Sequence, residues 1–262
     1  MDFSSRYGPM ALVTGASAGL GLHYAHQLAA KGMDLCLVAR RLDRLEQLAE
    51  DLRGKYAIEV LCCAVDLTTD DALSTIQEAV GHREIGLLVA NAGFGAKGAF
   101  LEADANTNAQ MIHLNCVVPV LMAHAFLPAM VARGRGGMIV LASTAAYQAT
   151  PFMSVYGATK VFDLHWSEGL TQELRGTGVD VLAICPGSTD TEFHAVAGGV
   201  STGLKMAKPE DVVRLSLQRL PRGGSTVHGW WNRVMSFGNR FAPRRLSAAV
   251  AARLIQSSQE RA

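Results

Sequence analysis

The stretch Thr14-Gly15-Ala16-Ser17-Ala18-Gly19-Leu20-Gly21 joins an apolar run, Met10 to Val13, to an apolar segment with helical periodicity. It reads as a strand, a glycine-rich turn and the start of a helix. Glycines at 15, 19 and 21 permit positive φ, bring the backbone close to a ligand, and let the helix pack tightly on a sheet. The first N–H groups of a helix lack partners within it, and together with the helix dipole they attract an anion such as a pyrophosphate. The spacing is Gly-x-x-x-Gly-x-Gly, one residue longer than the Gly-x-Gly-x-x-Gly dinucleotide fingerprint, so the turn taken alone also fits a connection with no ligand.

Outward from this turn, apolar β-rich runs recur at Asp34 to Ala39, Val60 to Val65, Ile85 to Ala90, Met138 to Ala142 and Val179 to Cys185, with helical segments between them. Alternating strands and helices predict an α/β fold with a doubly wound parallel sheet, helices on both faces. The runs are continuously apolar, as strands buried on both sides require. With 262 residues, 49% of them hydrophobic and 18% charged, the chain fits a single large domain with a full core. A net charge of +1 gives no electrostatic case for nucleic acid. The charge is uneven, however. From Arg222 onward seven arginines face the single acid Glu260, a local +6 that leaves −5 on the preceding residues.

Five cysteines (36, 62, 63, 116, 185) form no Cys-x-x-Cys pair and sit mostly in strand-like runs, which predicts reduced core thiols in a cytoplasmic protein. The apolar run before Gly15 is too short for a signal-peptide core. Cys116 to Ala132 is the longest apolar stretch, but Pro119, His124 and Pro128 interrupt it, so it is expected to be a buried helix rather than a membrane span.

Chemistry-bearing residues fall at the ends of the predicted strands. Strand two ends in Ala39-Arg40-Arg41, where an NAD-binding fold would carry an acid for the ribose 2′-hydroxyl and an arginine would instead accommodate a 2′-phosphate. Arg40 and Arg41, with Ser17 as a further donor, therefore predict NADP(H). The other reading is that both arginines only solvate a helix start, a poor place for cations. Asp66-Leu67 ends strand three, the aspartate serving either an adenine amine or its own turn, and Thr68-Thr69-Asp70 reads as a helix cap. Asn91-Ala92-Gly93 ends strand four and leads into a permissive loop with Gly95 and Gly98. A helix over about 107–131 carries Asn115, and Pro119 four residues on cannot donate to the carbonyl of Asn115, which is left free for water. Ser143 follows strand five at the carboxyl edge, where doubly wound folds bind ligands. Tyr156 and Lys160 lie four apart on one helical face. Pro186, Gly187, Thr189 and Thr191 form a rigid turn into a lid at about 190–207.

In this order these motifs resemble the short-chain dehydrogenase/reductase family over about residues 8 to 230. The resemblance implies a single Rossmann-type domain with a seven-stranded parallel sheet, a seventh strand near Ser225 to His228, and a homodimer or homotetramer. It implies Tyr156 as general acid/base, Lys160 lowering its pKa and holding the nicotinamide ribose, Ser143 orienting the substrate oxygen, and Asn115 holding a relay water. It places the cofactor on Gly15, Ser17, Ala18, Gly19, Leu20, Gly21, Arg40, Arg41, Asp66, Leu67, Asn91, Ala92, Gly93, Tyr156, Lys160, Pro186, Gly187, Thr189 and Thr191. A tyrosine is a poor base at neutral pH unless a cation stabilises its phenolate, which agrees with these roles. Val38 to Arg41 and Pro186 to Phe193 are similar to NADP-preferring members acting on hydroxysteroids or on ketoacyl and other bulky carbonyl substrates. Tyr7-Gly8-Pro9 and Gly32-Met33-Asp34 are similar to bacterial hydroxysteroid dehydrogenases. A non-catalytic dinucleotide sensor on the same fold would have little reason to keep the tyrosine-lysine pair.

Residues 1–229 are thus expected to form the catalytic domain and 230–262 a basic, aromatic helical extension. Trp230, Trp231, Phe237 and Phe241 among Arg233, Arg240, Arg244 and Arg245 fit either an anionic membrane surface or a segment packed over the substrate cleft or a neighbouring subunit. His23 and His26 share a helix face without a cysteine or carboxylate nearby in sequence, so no metal site is expected. His194 falls in the lid, within reach of substrate.

Overall fold

The computed structural model describes residues 3–193, 206–239 and 241–259. A short helix α1 (Phe3–Tyr7) precedes β1 (Met10–Thr14), α2 (Gly19–Ala29), β2 (Asp34–Ala39), α3 (Leu42–Lys55), β3 (Val60–Ala64), α4 (Ala72–Val80) and β4 (Ile85–Ala90). The second half adds α5 (Ala105–Ile112), α6 (Val118–Arg133), β5 (Gly136–Leu141), α7 (Ser154–Glu173), β6 (Val179–Cys185), α8 (Pro209–Arg219), β7 (Gly224–Val227), α9 (Trp230–Gly238) and α10 (Arg244–Gln259).

All seven strands lie in one parallel sheet of order β3-β2-β1-β4-β5-β6-β7, as expected for a doubly wound α/β domain. The chain builds outward from β1 to β3, returns, and builds the other way from β4. The order therefore reverses between β1 and β4, and a crevice opens beyond their carboxyl ends.

Strand β1 explains why the runs are apolar throughout. Ala11 and Val13 face the core under α2, α3 and α8 with Tyr24, Leu28, Leu45 and Leu217, while Met10 and Leu12 face the other core with Ile76, Phe126 and Met130. Alternate side chains enter opposite cores, so neither face is wet. The stretch 105–133 is the one described helix long and apolar enough to cross a membrane. Here Val118, Met122, Phe126 and Met130 bury its inner face against the sheet.

That stretch differs from the expected single helix over about 107–131. It is two α-helices joined by a π turn at His113–Val117, in which the Val118 N–H donates to the His113 carbonyl five residues back. Pro119, at the start of α6, is the neighbour that cannot restore the ordinary pattern. A second correction concerns α4. It starts at Ala72 with Asp71 as N-cap and no capping side chain, whereas Thr68 and Thr69 bond back to Asp66. The local Asp66 turn wins over the helix cap.

Helix α2 is held on α8 by a buried bond between the Tyr24 and Ser216 hydroxyls at 2.6 Å, and Ser216 passes its own proton to the Val213 carbonyl at 2.7 Å. Ser216→Ala is expected to cost about 1–3 kcal/mol by orphaning the Tyr24 hydroxyl, and Tyr24→Phe about 1 kcal/mol because Ser216 keeps its acceptor. Urea unfolding of the two variants checks the order.

Candidate active site

The crevice is stitched shut at its base by Thr14. Its hydroxyl donates to the Val89 carbonyl at 3.2 Å and accepts from the N–H groups of Asn91 and Ala92, each at 3.0 Å. Asn91 returns its amide to the Thr14 carbonyl at 2.8 Å and the Gly15 carbonyl at 3.3 Å. The glycine turn is thus fixed to the end of β4. Gly15 has φ +66°, and a Cβ on Gly21 would strike the Gly15 carbonyl. Ala16 is buried and Leu20 packs against the core under α2. Helix α2 begins after Ala18 with no side-chain cap, so its first N–H groups face the crevice beside Gly19 and Gly21. Thr191 lies over this helix start, 3.3 Å from where a Gly19 side chain would begin.

Beside the turn Ser17, Arg41, Arg44 and Glu192 form one charged cluster. Arg41 donates to Ser17 Oγ at 3.1 Å and to Glu192 Oε2 at 3.3 Å, and Arg44 donates to Glu192 Oε1 at 2.8 Å. Arg44, with Arg41, holds the Glu192 carboxylate's pKa below the ordinary glutamate value. Arg40 is elsewhere. Its side chain is 78% exposed and only approaches Asp66, at 4.0 Å. Of the two arginines the sequence singled out, the structure brings Arg41 to Ser17 and leaves Arg40 outside. Asp66 uses Oδ1 for the Thr68 N–H and hydroxyl, which lower its pKa, and Leu67 is core.

Across the crevice the four catalytic candidates come together. Asn115 is almost wholly buried. Its Oδ1 accepts from the Phe94 N–H at 3.1 Å, and its amide donates to the Phe94 carbonyl and to Thr159 Oγ1, both at 3.0 Å. Thr159 in turn donates to the Tyr156 carbonyl at 2.7 Å. The side chain thereby ties the loop after β4 to α7. Ser143 lies two residues beyond β5 in extended conformation, its Oγ accepting from the Ala145 N–H at 3.1 Å and so keeping its own proton for another acceptor. Lys160 Nζ lies 5.8 Å from the Tyr156 ring centre and donates to the Leu141 carbonyl at 2.6 Å and Asp163 Oδ2 at 2.9 Å. Burial alone would lower the Lys160 ammonium pKa, and Asp163, together with Tyr156 and Cys116, raises it above the ordinary lysine value. The Phe193 ring lies 5.5 Å from the Tyr156 ring, tilted at 46° to it.

The turn after β6 completes the wall. Pro186 accepts from the Thr144 N–H at 2.9 Å, and Thr189 donates to the Gly187 carbonyl at 3.0 Å. Thr189 also pairs with Ala207, which brings the chain before residue 190 beside the chain after residue 206. Residues 194–205, with His194, lie outside the described residues. Beyond the wall, Asn239 of α9's C-cap donates to Gln148 Oε1 at 2.9 Å, which sets α9 beside the segment after Ser143. Trp230, Trp231, Phe237 and Phe241 all remain exposed. The two α2 histidines do meet carboxylates that are distant in sequence, His23 with Glu210 and His26 with Asp51. No metal-binding cluster of three such groups occurs among the described residues.

Arg44, Thr159, Asp163 and Glu192 were missed in the sequence. Arg44 and Asp163 each fall three residues beyond a flagged residue on the same helix, a readable signal. Glu192 meets Arg41 only through the tertiary fold.

A glycine turn at a topological switch point facing a serine, tyrosine and lysine defines a dinucleotide-dependent oxidoreductase site. The family model for short chain dehydrogenases matches residues 9–198, and the chain belongs to that family, which acts on alcohols and carbonyls with a nicotinamide dinucleotide. The chain is 33% identical over 183 residues to a very-long-chain 3-oxoacyl-CoA reductase of Macaca fascicularis, covering 68% of this chain but only 59% of that protein. Among solved structures, a 7β-hydroxysteroid dehydrogenase superposes with TM-score 0.89 at 26% identity, over 96% of this chain and 100% of that one. A short-chain dehydrogenase from Sphingobium yanoikuyae in complex with NADPH gives TM-score 0.81 at 33% identity, over 88% and 93% of the two chains.

A Cβ on Gly93 would sit 2.8 Å from Asn115 Oδ1. Gly93→Ala is expected to push Asn115 off its three bonds, reducing kcat/KM by about 100-fold, the scale of a 1 Å misplacement, and lowering the thermal midpoint because the buried amide loses its partners. Steady-state kinetics beside a melting curve checks this.

Proposed function

We propose that the protein is an NADP(H)-dependent oxidoreductase that interconverts a secondary alcohol and a ketone on a bulky hydrophobic substrate such as a hydroxysteroid. The observation that carries this reading is the convergence of Ser143, Tyr156 and Lys160 on one crevice, with Asn115 bracing the helix that bears the last two. When bound, the dinucleotide supplies or accepts the hydride; the proton and the orientation of substrate fall to the chain's own groups. In reduction Ser143 donates to the carbonyl oxygen and Tyr156 gives its phenolic proton to the same oxygen. The adjacent Lys160 ammonium stabilises the phenolate left behind.

The cofactor preference rests on Ser17, Arg41 and Arg44, a cradle already holding a carboxylate and matched to a 2′-phosphate. The hydroxysteroid reading is supported by the likeness to a 7β-hydroxysteroid dehydrogenase along nearly the whole chain. A second reading, reduction of 3-oxoacyl thioesters, is supported by the likeness to the macaque reductase. Ile112, Val117, Leu121 and Phe162, exposed apolar residues on neighbouring helices, support a homo-oligomer. The exposed aromatics of α9, beside arginines, favour peripheral contact with an anionic membrane near the crevice mouth.

Following NADPH absorbance while the purified protein is offered steroid ketones, 3-oxoacyl thioesters and small ketones separates the two substrate readings. Silence across that panel would overturn the enzymatic one. Tyr156→Phe is expected to lower turnover by about 10²- to 10⁴-fold. Arg41→Ala is expected to reduce the NADP-to-NAD ratio of kcat/KM by roughly 10- to 100-fold, the worth of one charge-assisted hydrogen bond, and Arg40→Ala to change it far less. Equal effects of the two arginines would contradict the assigned cradle.

A further inference from the structure

We propose that Asp163 is the counter-ion that keeps Lys160 protonated and pinned, and so fixes the pH range in which Tyr156 exchanges its proton with substrate. The two side chains are one turn apart on α7, with 2.9 Å between Lys160 Nζ and Asp163 Oδ2 and only 9% and 2% of the side chains exposed. A lysine this deep loses its proton readily unless a carboxylate accompanies it, because a bare ammonium in an apolar setting forfeits its hydration. The other groups around the ammonium do not replace that carboxylate. The Leu141 carbonyl accepts one bond. The thiols of Cys116, from the π turn, and Cys185, from β6, are driven by burial to pKa values of about 11 and about 12, so both stay neutral over the working range. Tyr156 is itself the group whose proton is in question.

Asp163 has no second task among side-chain bonds. Its Oδ1 is buried without a hydrogen-bond partner among the described residues, so the carboxylate is spent on Lys160 alone. The pair also aims the ammonium. Bonds to Leu141 and Asp163 leave the third proton of Nζ for the crevice, beside the space over Gly93, whose Cβ position is 3.8 Å from Nζ. Asp163 is therefore a positioning residue that acts through Lys160.

This inference rests on Tyr156 and Lys160 acting as the family implies, so Tyr156→Phe is assayed in parallel. Retained turnover there would remove the underlying reading, whereas the outcomes below bear on Asp163 alone. In Asp163→Asn, Lys160 should lose its proton at lower pH and Tyr156 its cationic support. The alkaline-going midpoint of the kcat profile for alcohol oxidation should then move to higher pH by about 1–3 units, with the NADP Kd from fluorescence quenching changed little. Asp163→Glu, which retains the charge, should return the midpoint towards that of the parent. An unchanged midpoint, or one moved to lower pH, would overturn the proposal, the latter by showing that the carboxylate only masks the ammonium. A direct reading comes from lysine labelled with ¹³C at Cε in the cofactor-free protein, the Lys160 signal being assigned with Lys160→Met. It should titrate above the ordinary lysine value of about 10.4 in the parent chain and below it in Asp163→Asn. Titration below that ordinary value in the parent chain would overturn the proposal even if the substituted chains do not fold.

Discussion

Everything at the carboxyl edge depends on one threonine. Thr14 is the last residue of the first strand, and its hydroxyl uses its proton on β4 while taking two N–H groups from the residues that follow β4. A parallel sheet offers no turn to join neighbouring strands, so where the strand order reverses, side chains must hold the two ends in register. Thr14 and Asn91 do so with five bonds between them. The glycine turn on one side and the Asn91-to-Gly95 loop on the other therefore share one rigid base, and the distance between that turn and the catalytic helix is set there.

The catalytic half is then braced by groups that do not react. Asn115 reaches from the π turn to the Phe94 backbone and to Thr159, and Thr159 bonds the main chain of Tyr156. The orientation of the tyrosine is thus referred back to the loop after β4, not to α7 alone. Buried amides bonded at both ends are costly to rearrange, because each lost partner leaves a polar atom stranded away from water. Such bracing suits a site that must hold its geometry before a ligand arrives.

Much of this was readable from residue order. Continuous apolar runs separated by helical segments could only be a parallel sheet covered on both faces, and the strand ends then told which residues share an edge. Ser143, Tyr156 and Lys160 were found because strand ends and helical spacing are local properties. What escaped depends on the fold as a whole. Both Arg40 and Arg41 looked eligible for the anion, and only the direction in which the chain enters α3 decides that Arg41 turns to Ser17 while Arg40 turns to Asp66. His23 and His26 appeared without acids because Glu210 and Asp51 come from other helices. Thr68 and Thr69 looked like a cap because the competing Asp66 turn uses the same hydroxyls.

The π turn at His113–Val117 bears on why 105–133 resembles a membrane span. In α6 the buried positions step by four, at 119, 123 and 127 and at 118, 122, 126 and 130, and Met111 lies four residues before Asn115 and five before Cys116. The turn holds one surplus residue, and each residue of an α-helix advances the side chains by about 100°. The buried row Met111, Asn115, Pro119, Ala123 and Leu127 runs on across the turn, and the two helices together reach the length of a membrane span. Chain length is quantised at this point: deleting a single residue between 113 and 117 would restore regular hydrogen bonding while swinging Met111, and all of α5 with it, by more than a quarter turn relative to α7, on which α5 packs.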